Sequence, residues 1–297
     1  MKRMLFVINP NAGQRKARRH LTDMIDIFNR AEYTVITYIT KCQGDGEQAV
    51  MRCANEVDLV VCCGGDGTFN ETISGVLKSG HDIPIGYIPA GSTNDFASSL
   101  HLSSDMAQAA RDIVDGEPRR LDIGCFEGRH FSYIASFGAF TRTSYTTPQE
   151  LKNVLGHTAY LLSGIQELSQ LKSYPLRFEL PDGTVIEDTF IFGAISNSTS
   201  VGGILTLAED RVDLCDGQFE LLLIRMPRDI AELGECVQAL KRQTYNCSML
   251  TFIKADHLEI TASKDMDWTL DGEKEDGHDH ISVQCLHNAV QIYCPKA

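Results

Sequence analysis

One stretch limits what this chain can fold into more than any other: Val57-Asp58-Leu59-Val60-Val61-Cys62-Cys63-Gly64-Gly65-Asp66-Gly67-Thr68-Phe69-Asn70-Glu71. Its apolar run does not alternate with polar residues, the pattern of a strand buried on both faces. Two glycines break the run. A helix follows, with Phe69, Ile73, Val76 and Leu77 on one face. Thr68 and Glu71 stand at the spacing of a capping box. A strand, a glycine turn and a helix start, in that order, direct backbone N–H groups and the positive end of a helix dipole toward an anion. Asp66 adds a carboxylate to the turn. The residues fit a phosphate cradle, and they also fit a plain βα turn, where glycines are ordinary.

Two more turns of this kind flank it. A strand over 4–9 ends in Asn9-Pro10-Asn11-Ala12-Gly13 and leads to a helix carrying Leu21, Met24, Ile25 and Phe28. A strand over 33–39 precedes Gly44 and Gly46 and a short helix with Ala49, Val50 and Cys53. A strand over 83–88 runs into Pro89-Ala90-Gly91-Ser92-Thr93-Asn94-Asp95-Phe96, and a helix covers 106–114. Strands alternating with helices imply an α/β domain with a parallel sheet and helices on both faces. Ligands of such sheets bind beyond the carboxyl ends of the strands. The three turns leave their strands at that same edge.

The pattern changes at Asp122. Strands over 121–126 and 130–134 are joined by a turn at Glu127-Gly128-Arg129. Thr147, Pro148 and Glu150 start a long helix that runs to 171. Strands dominate thereafter, over 176–180, 185–195, 218–226, 250–253, 257–261, 281–285 and 290–293, with one helix over 228–243. The chain therefore divides into an α/β domain, 1–122, and a mainly antiparallel β domain, 123–297, whose last strand is free to return to the first.

A formal net charge of −13 argues against non-specific nucleic-acid binding. No apolar run nears the ~20 residues of a membrane-spanning helix. Arg15, Lys16, Arg18, Arg19 and His20, with Arg119 and Arg120, form basic patches that suit either a solvated face or a membrane surface. Ten cysteines without a C-x-x-C pair read as reduced, structural thiols of a cytoplasmic protein. His278-Asp279-His280 lies in an acidic run and reads as a solvated loop rather than a zinc site.

Together the turns resemble the soluble lipid kinases that carry a diacylglycerol kinase catalytic domain, including bacterial diacylglycerol kinases and the sphingosine kinases. Gly64-Gly65-Asp66-Gly67-Thr68-Phe69-Asn70-Glu71 is similar to their signature. Asn9-Pro10-Asn11-Ala12-Gly13 resembles their first nucleotide motif, and Pro89 to Ala97 their second, with Ser92 where Thr is usual. Leu270-Asp271-Gly272-Glu273 resembles their C-terminal Asp-Gly-Glu, here followed by a longer acidic segment, 274–280. Gly-Gly-Asp-Gly alone is shared with NAD kinases and phosphofructokinases.

The resemblance implies an NAD-kinase/diacylglycerol-kinase-like fold, with a β-sandwich-like second domain and an active site in the cleft between domains. It implies ATP and Mg²⁺ and a lipid alcohol as acceptor, diacylglycerol first. ATP contacts carried over are Asn9, Pro10, Asn11, Ala12, Gly13, Thr40, Gly65, Asp66, Gly67, Thr68, Phe69, Asn70, Glu71, Thr72 and Ser92. A structural metal falls to Asp213, Asp216 and the carbonyl of Gln218, with Asp66, Asp95 and Asp122 linked to it through water. Asp216-Gly217 also fits an ordinary turn. Proton acceptance falls to Glu273, supported by Asp271, with Asp66 as the alternative; a strand-like backbone through Asp271-Gly272-Glu273 turns both acids the same way. The lipid acceptor implies a peripheral membrane surface, and a homodimer stays open. Rival readings are an NAD-kinase-like phosphotransferase and a non-catalytic lipid-binding regulator on the same fold.

Overall fold

The computed structural model describes residues 1–138, 172–201 and 205–296. The helix expected over 148–171, with Tyr160, Leu161, Leu162 and Ile165, lies outside the described residues. The chain forms two compact units. The first is Met1–Ile123 with Leu214–Asp216 and Leu286–Ala297; the second is Gly124–Asp213 with Gly217–Cys285.

In the first unit strands and helices alternate: β1 (Lys2–Ile8), α1 (Lys16–Arg30), β2 (Tyr33–Ile39), α2 (Asp45–Cys53), β3 (Leu59–Gly64), α3 (Asp66–Ser79), β4 (Ile85–Pro89), α4 (Asp95–Ser99) and α5 (Met106–Asp115). The strands run parallel in the order β2-β1-β3-β4, and Ile292 of the chain's last strand continues the sheet beside Ile85. Side-chain alternation assigns the faces. Met4, Phe6 and Ile8 join Leu59, Val61 and Cys63 on one side, against Met24 and Phe28 of α1 and Ala109 and Ile113 of α5. On the other side α2 packs on α3, and the Cys62 thiol meets the hydroxyl of Thr72 in α3. All six residues of β3 are buried, which explains its unbroken apolar run; each large aliphatic side chain buried there contributes roughly 1.5–3 kcal/mol. Burial pushes the Cys63 thiol up to about 12 and raises Cys62 as well, so both act as small hydrophobes.

The second unit is built from β5 (Glu117–Phe126, shared with the first unit), β6 (Arg129–Phe131), β7 (Ile134–Gly138), β8 (Tyr174–Glu179), β9 (Val185–Ser196), a short pair β10 (Ser200–Val201) and β11 (Leu205–Thr206), β12 (Phe219–Arg225), α6 (Ile230–Lys241), β13 (Leu250–Ala255), β14 (His257–Thr261), β15 (Trp268–Leu270), β16 (Glu273–Glu275) and β17 (His280–Cys294, also shared). β9 is its spine: Val185 to Phe190 pair with β8, and its later residues pair with β7 and β12, all antiparallel. The core gathers Phe126, Phe131, Phe137, Phe178, Phe219 and Trp268. Trp268 lies 5.1 Å from Phe126 and 4.9 Å from Phe137, ring centre to ring centre.

Two local expectations change. The strands expected over 281–285 and 290–293 are one strand, β17. No proline or glycine separates them; Asn288 takes a left-handed conformation (φ 52°) inside it, which asparagine tolerates, and its N–H donates to Asp122 Oδ1 at 2.7 Å. The segment around Asp271-Gly272 is a hairpin, β15 and β16, with Leu270 opposite Glu273. Among the described residues no helix is long and apolar enough to cross a membrane.

Candidate active site

Three strand ends of the first unit are tied together by main chain. Asn9 N donates to Cys63 O at 2.9 Å, and Ala90 N donates to Gly64 O at 2.7 Å. The loops after β1, β3 and β4 therefore start side by side. Asn9 then bridges two of them: its Nδ2 donates to Thr68 Oγ1 at 3.0 Å while its Oδ1 accepts from Asn11 N at 3.0 Å. Gly13 sits at φ 49°, and a Cβ there would lie 2.0 Å from Ala90 O. Gly65 and Gly91 meet backbone to backbone; a Cβ on Gly91 would lie 2.6 Å from Gly65 Cα. Only glycine permits that approach. Thr40 follows β2, and its N–H donates to Ile8 O at 2.9 Å, at the same sheet edge.

The capping box read between Thr68 and Glu71 is not formed. α3 begins at Asp66 behind Gly65, and no side chain caps it. Thr68 is inside the first turn, where its hydroxyl accepts from Asn9. Glu71 reaches the neighbouring helix instead, accepting from Gly44 N at 2.8 Å and Gly46 N at 3.0 Å. The reason is non-local: α2 begins behind a left-handed glycine that has no side chain to offer its first-turn donors, and Glu71 supplies the acceptor. Phe69 and Thr72 are fully buried. The Phe69 ring stacks on Tyr87 at 4.1 Å and lies 5.3 Å from Phe96, so it fixes α3 on β4 and α4. Asn70 is buried and Ser92 is exposed.

Asp66 links α3 to the loop after β4. Its carboxylate accepts from Asp95 N at 3.3 Å and Phe96 N at 3.4 Å. Burial, and next the charge of Asp95, raise Asp66 above the usual carboxylate range. Asp95 is itself 7% exposed. A half-buried and a buried carboxylate in one another's field are hard oxygen donors that a divalent cation would stabilise. Asn94, which sequence reasoning left out of the site, holds this loop: in a left-handed conformation (φ 51°) it accepts from Gly91 N at 2.9 Å and donates to Gly91 O at 3.1 Å. An Asn two residues after a Gly-Ser pair was the available signal.

In the second unit Asp271 and Glu273 do not share a strand face. Asp271 (φ 50°) and Gly272 (φ 82°) form the two-residue turn of the β15–β16 hairpin, the left-handed pair that Asp-Gly favours. Asp271 is 4% exposed and accepts four hydrogen bonds, from Ser132 N at 2.6 Å, Ser132 Oγ at 2.7 Å, Tyr133 N at 3.0 Å and Ile134 N at 3.1 Å. It clamps the turn that leads into β7. Burial pushes its carboxyl up to about 6, against the pull of those four donors. Glu273, on the return strand, is partly exposed and pairs with Arg129 at 2.8 Å; Arg129 also holds Glu275 at 2.6 Å. Arg129 is a partner that sequence reasoning missed, 144 residues away in the chain.

Asp122 is fully buried, accepts from Asn288 N and faces His287 Nδ1 at 3.0 Å, while its own N–H donates to Leu214 O at 2.9 Å. Asp213, Asp216 and Gln218 are exposed, and Gly217 between them turns at φ 78°. Among the described residues no three His, Cys, Asp or Glu side chains converge as metal ligands.

The model of the diacylglycerol kinase catalytic domain matches residues 3–126. A diacylglycerol kinase of Bacillus subtilis is 33% identical over 275 residues, 92% of this chain and 90% of that protein. One from Staphylococcus epidermidis is 32% identical over 297 residues, 99% of this chain and 93% of its own length. The crystal structure of a diacylglycerol kinase from Bacillus anthracis superposes with a TM-score of 0.76 at 21% identity, covering 99% of this chain and 97% of that one. That last likeness carries the fold. The sequence relatives carry more: this chain belongs to the diacylglycerol kinase family of lipid kinases.

Proposed function

We propose that this protein transfers the γ-phosphoryl group of ATP to the hydroxyl of diacylglycerol, giving phosphatidic acid and ADP. The observation that supports this most is the gathering of Asn9, Gly65 to Thr68 and Gly91 to Asp95 at one edge of a parallel sheet, in a chain 33% identical to a diacylglycerol kinase. Phosphoryl transfer asks the protein for positioning, charge neutralisation and a proton acceptor. The uncapped start of α3 supplies N–H groups of Gly67 and Thr68 for the phosphates. The Gly65–Gly91 contact leaves no side chain between the two loops, so phosphates reach backbone directly. The loop 9–13, Thr40 and Ser92 complete the nucleotide contacts in this reading.

Asp66 and Asp95 are the residues that would hold Mg²⁺. When bound, the ion neutralises charge on the phosphate oxygens. The acceptor oxygen attacks phosphorus, the bond from phosphorus to the bridging oxygen breaks, and ADP leaves. Glu273 takes the hydroxyl proton, held in position by Arg129; Asp271 positions the hairpin that carries it. Docking on a membrane through exposed Arg18 and Arg19 brings the enzyme to its lipid. The test is transfer of label from ATP into extracted lipids, with NAD as the control acceptor. Label in phosphatidic acid supports the reading; label in NAD phosphate alone overturns it.

A further inference from the structure

We propose that Cys236 and Cys247 form a redox-modification site, a dithiol that a hydroperoxide converts to a disulfide joining α6 to the turn before β13. The proposal is independent of the kinase reading. Asp229 caps α6 by accepting from Glu232 N at 2.8 Å. Glu232 then accepts from Ser248 Oγ at 3.0 Å. Arg225 of β12 pairs with Glu232 and donates through Nε to Ser248 O at 3.0 Å, and its N–H donates to Met249 O at 3.0 Å. These bonds pin residues 248–249 against the first turn of α6. Cys236 stands four residues after Glu232, one turn on along the same helix face. Cys247 stands one residue before Ser248, and its carbonyl accepts from Leu250 N at 3.0 Å. The Cys247 thiol is thereby brought beside that of Cys236, close enough to shift its titration.

The two sulfurs have different access. Cys236 is 2% exposed and Cys247 is partly exposed. Burial, then the neighbouring Cys247, push the Cys236 thiol up to about 12, so it stays protonated and is shielded from oxidants in solution. Cys247 is the point of entry. Its sulfur attacks the hydroperoxide, the O–O bond breaks, and a sulfenic acid and an alcohol (water, from hydrogen peroxide) are formed. Cys236 sulfur then attacks that of Cys247, loses its proton, and displaces hydroxide as water. Two thiols are oxidised by two electrons and one peroxide is reduced. Cys62 and Cys63 offer no such pair, since neighbours in a strand point to opposite faces.

The experiment treats the reduced full chain with hydrogen peroxide, then alkylates and maps peptides. The expected result is loss of two of the ten thiols, a disulfide linking the Cys236 and Cys247 peptides, and reversal by dithiothreitol. Cys247→Ser abolishes the link. Cys236→Ala, which leaves the entry thiol, gives a sulfenic acid at Cys247 that dimedone traps. Both thiols still alkylated after prolonged peroxide, or either one linked to a third cysteine, overturns the proposal.

Discussion

At the scale of single residues the proposed mechanism rests on Glu273 and Arg129. Loss of a general base costs ~10²–10⁴-fold in turnover, so Glu273→Gln is expected to fall by that much with the KM for ATP unchanged. Arg129→Ala removes an ion-pair partner of Glu273 while keeping the acid, and a misplaced catalytic group costs up to ~10²-fold; its kcat should fall while Arg129→Lys recovers part of the loss. Equal turnover in wild type and Glu273→Gln contradicts the assignment. Asp271 makes a different prediction. A folded-state value of about 6 against 3.8 unfolded means that its contribution to stability is fully present below pH 3.8 and is lost as pH rises through about 6. The stability gap between wild type and Asp271→Asn should therefore narrow between those two pH values, by roughly 3 kcal/mol. Melting both proteins across that window checks it; a gap that widens means that the four donors outweigh burial.

Elements are held here by contacts that a local pattern shows only in part. The buried run of β3 and the turns after β1, β3 and β4 are legible because apolar runs and Gly, Asn and Pro act within a few residues. The partner of Glu71 is not: the spacing from Thr68 fits a capping box, yet the stronger demand comes from the donors at the start of α2. Removing one oxygen acceptor in Glu71→Gln should cost about 1 kcal/mol, read as a lower thermal midpoint. The hairpin at 268–275 escaped for a similar reason. Its strands are three residues each, too short to show alternation, and its Asp-Gly pair reads as readily as a strand or a turn. Glycine contacts at the loop edge give an ordering. A Cβ would sit 2.6 Å from Gly65 Cα in Gly91→Ala, but 3.2 Å from Gly91 Cα in Gly65→Ala. Gly91→Ala should therefore lower both stability and activity more, by the ~1–3 kcal/mol typical of overpacking; equal effects would show that the two loops shift freely.

For the whole molecule, the sequence reads as a βα first half and an antiparallel second half, because the periodicity changes from helix-and-strand to strand after Asp122. The return of Leu286–Ala297 and Leu214–Asp216 to the first unit rests on long-range pairing, such as Asp122 with Leu214 and Asn288. A net charge of −13 makes any membrane docking depend on local basic groups. Arg18 and Arg19 replaced by Glu should lower turnover on anionic vesicles and leave turnover on a short-chain soluble diacylglycerol unchanged. Phosphoryl transfer that depends on the Asp66 loop is tested most directly by incubating the wild type and Asp66→Asn with labelled ATP, Mg²⁺ and diacylglycerol in mixed micelles. The expected result is labelled phosphatidic acid from the wild type and none from Asp66→Asn. No labelled lipid from the wild type, or equal labelling by both proteins, contradicts it.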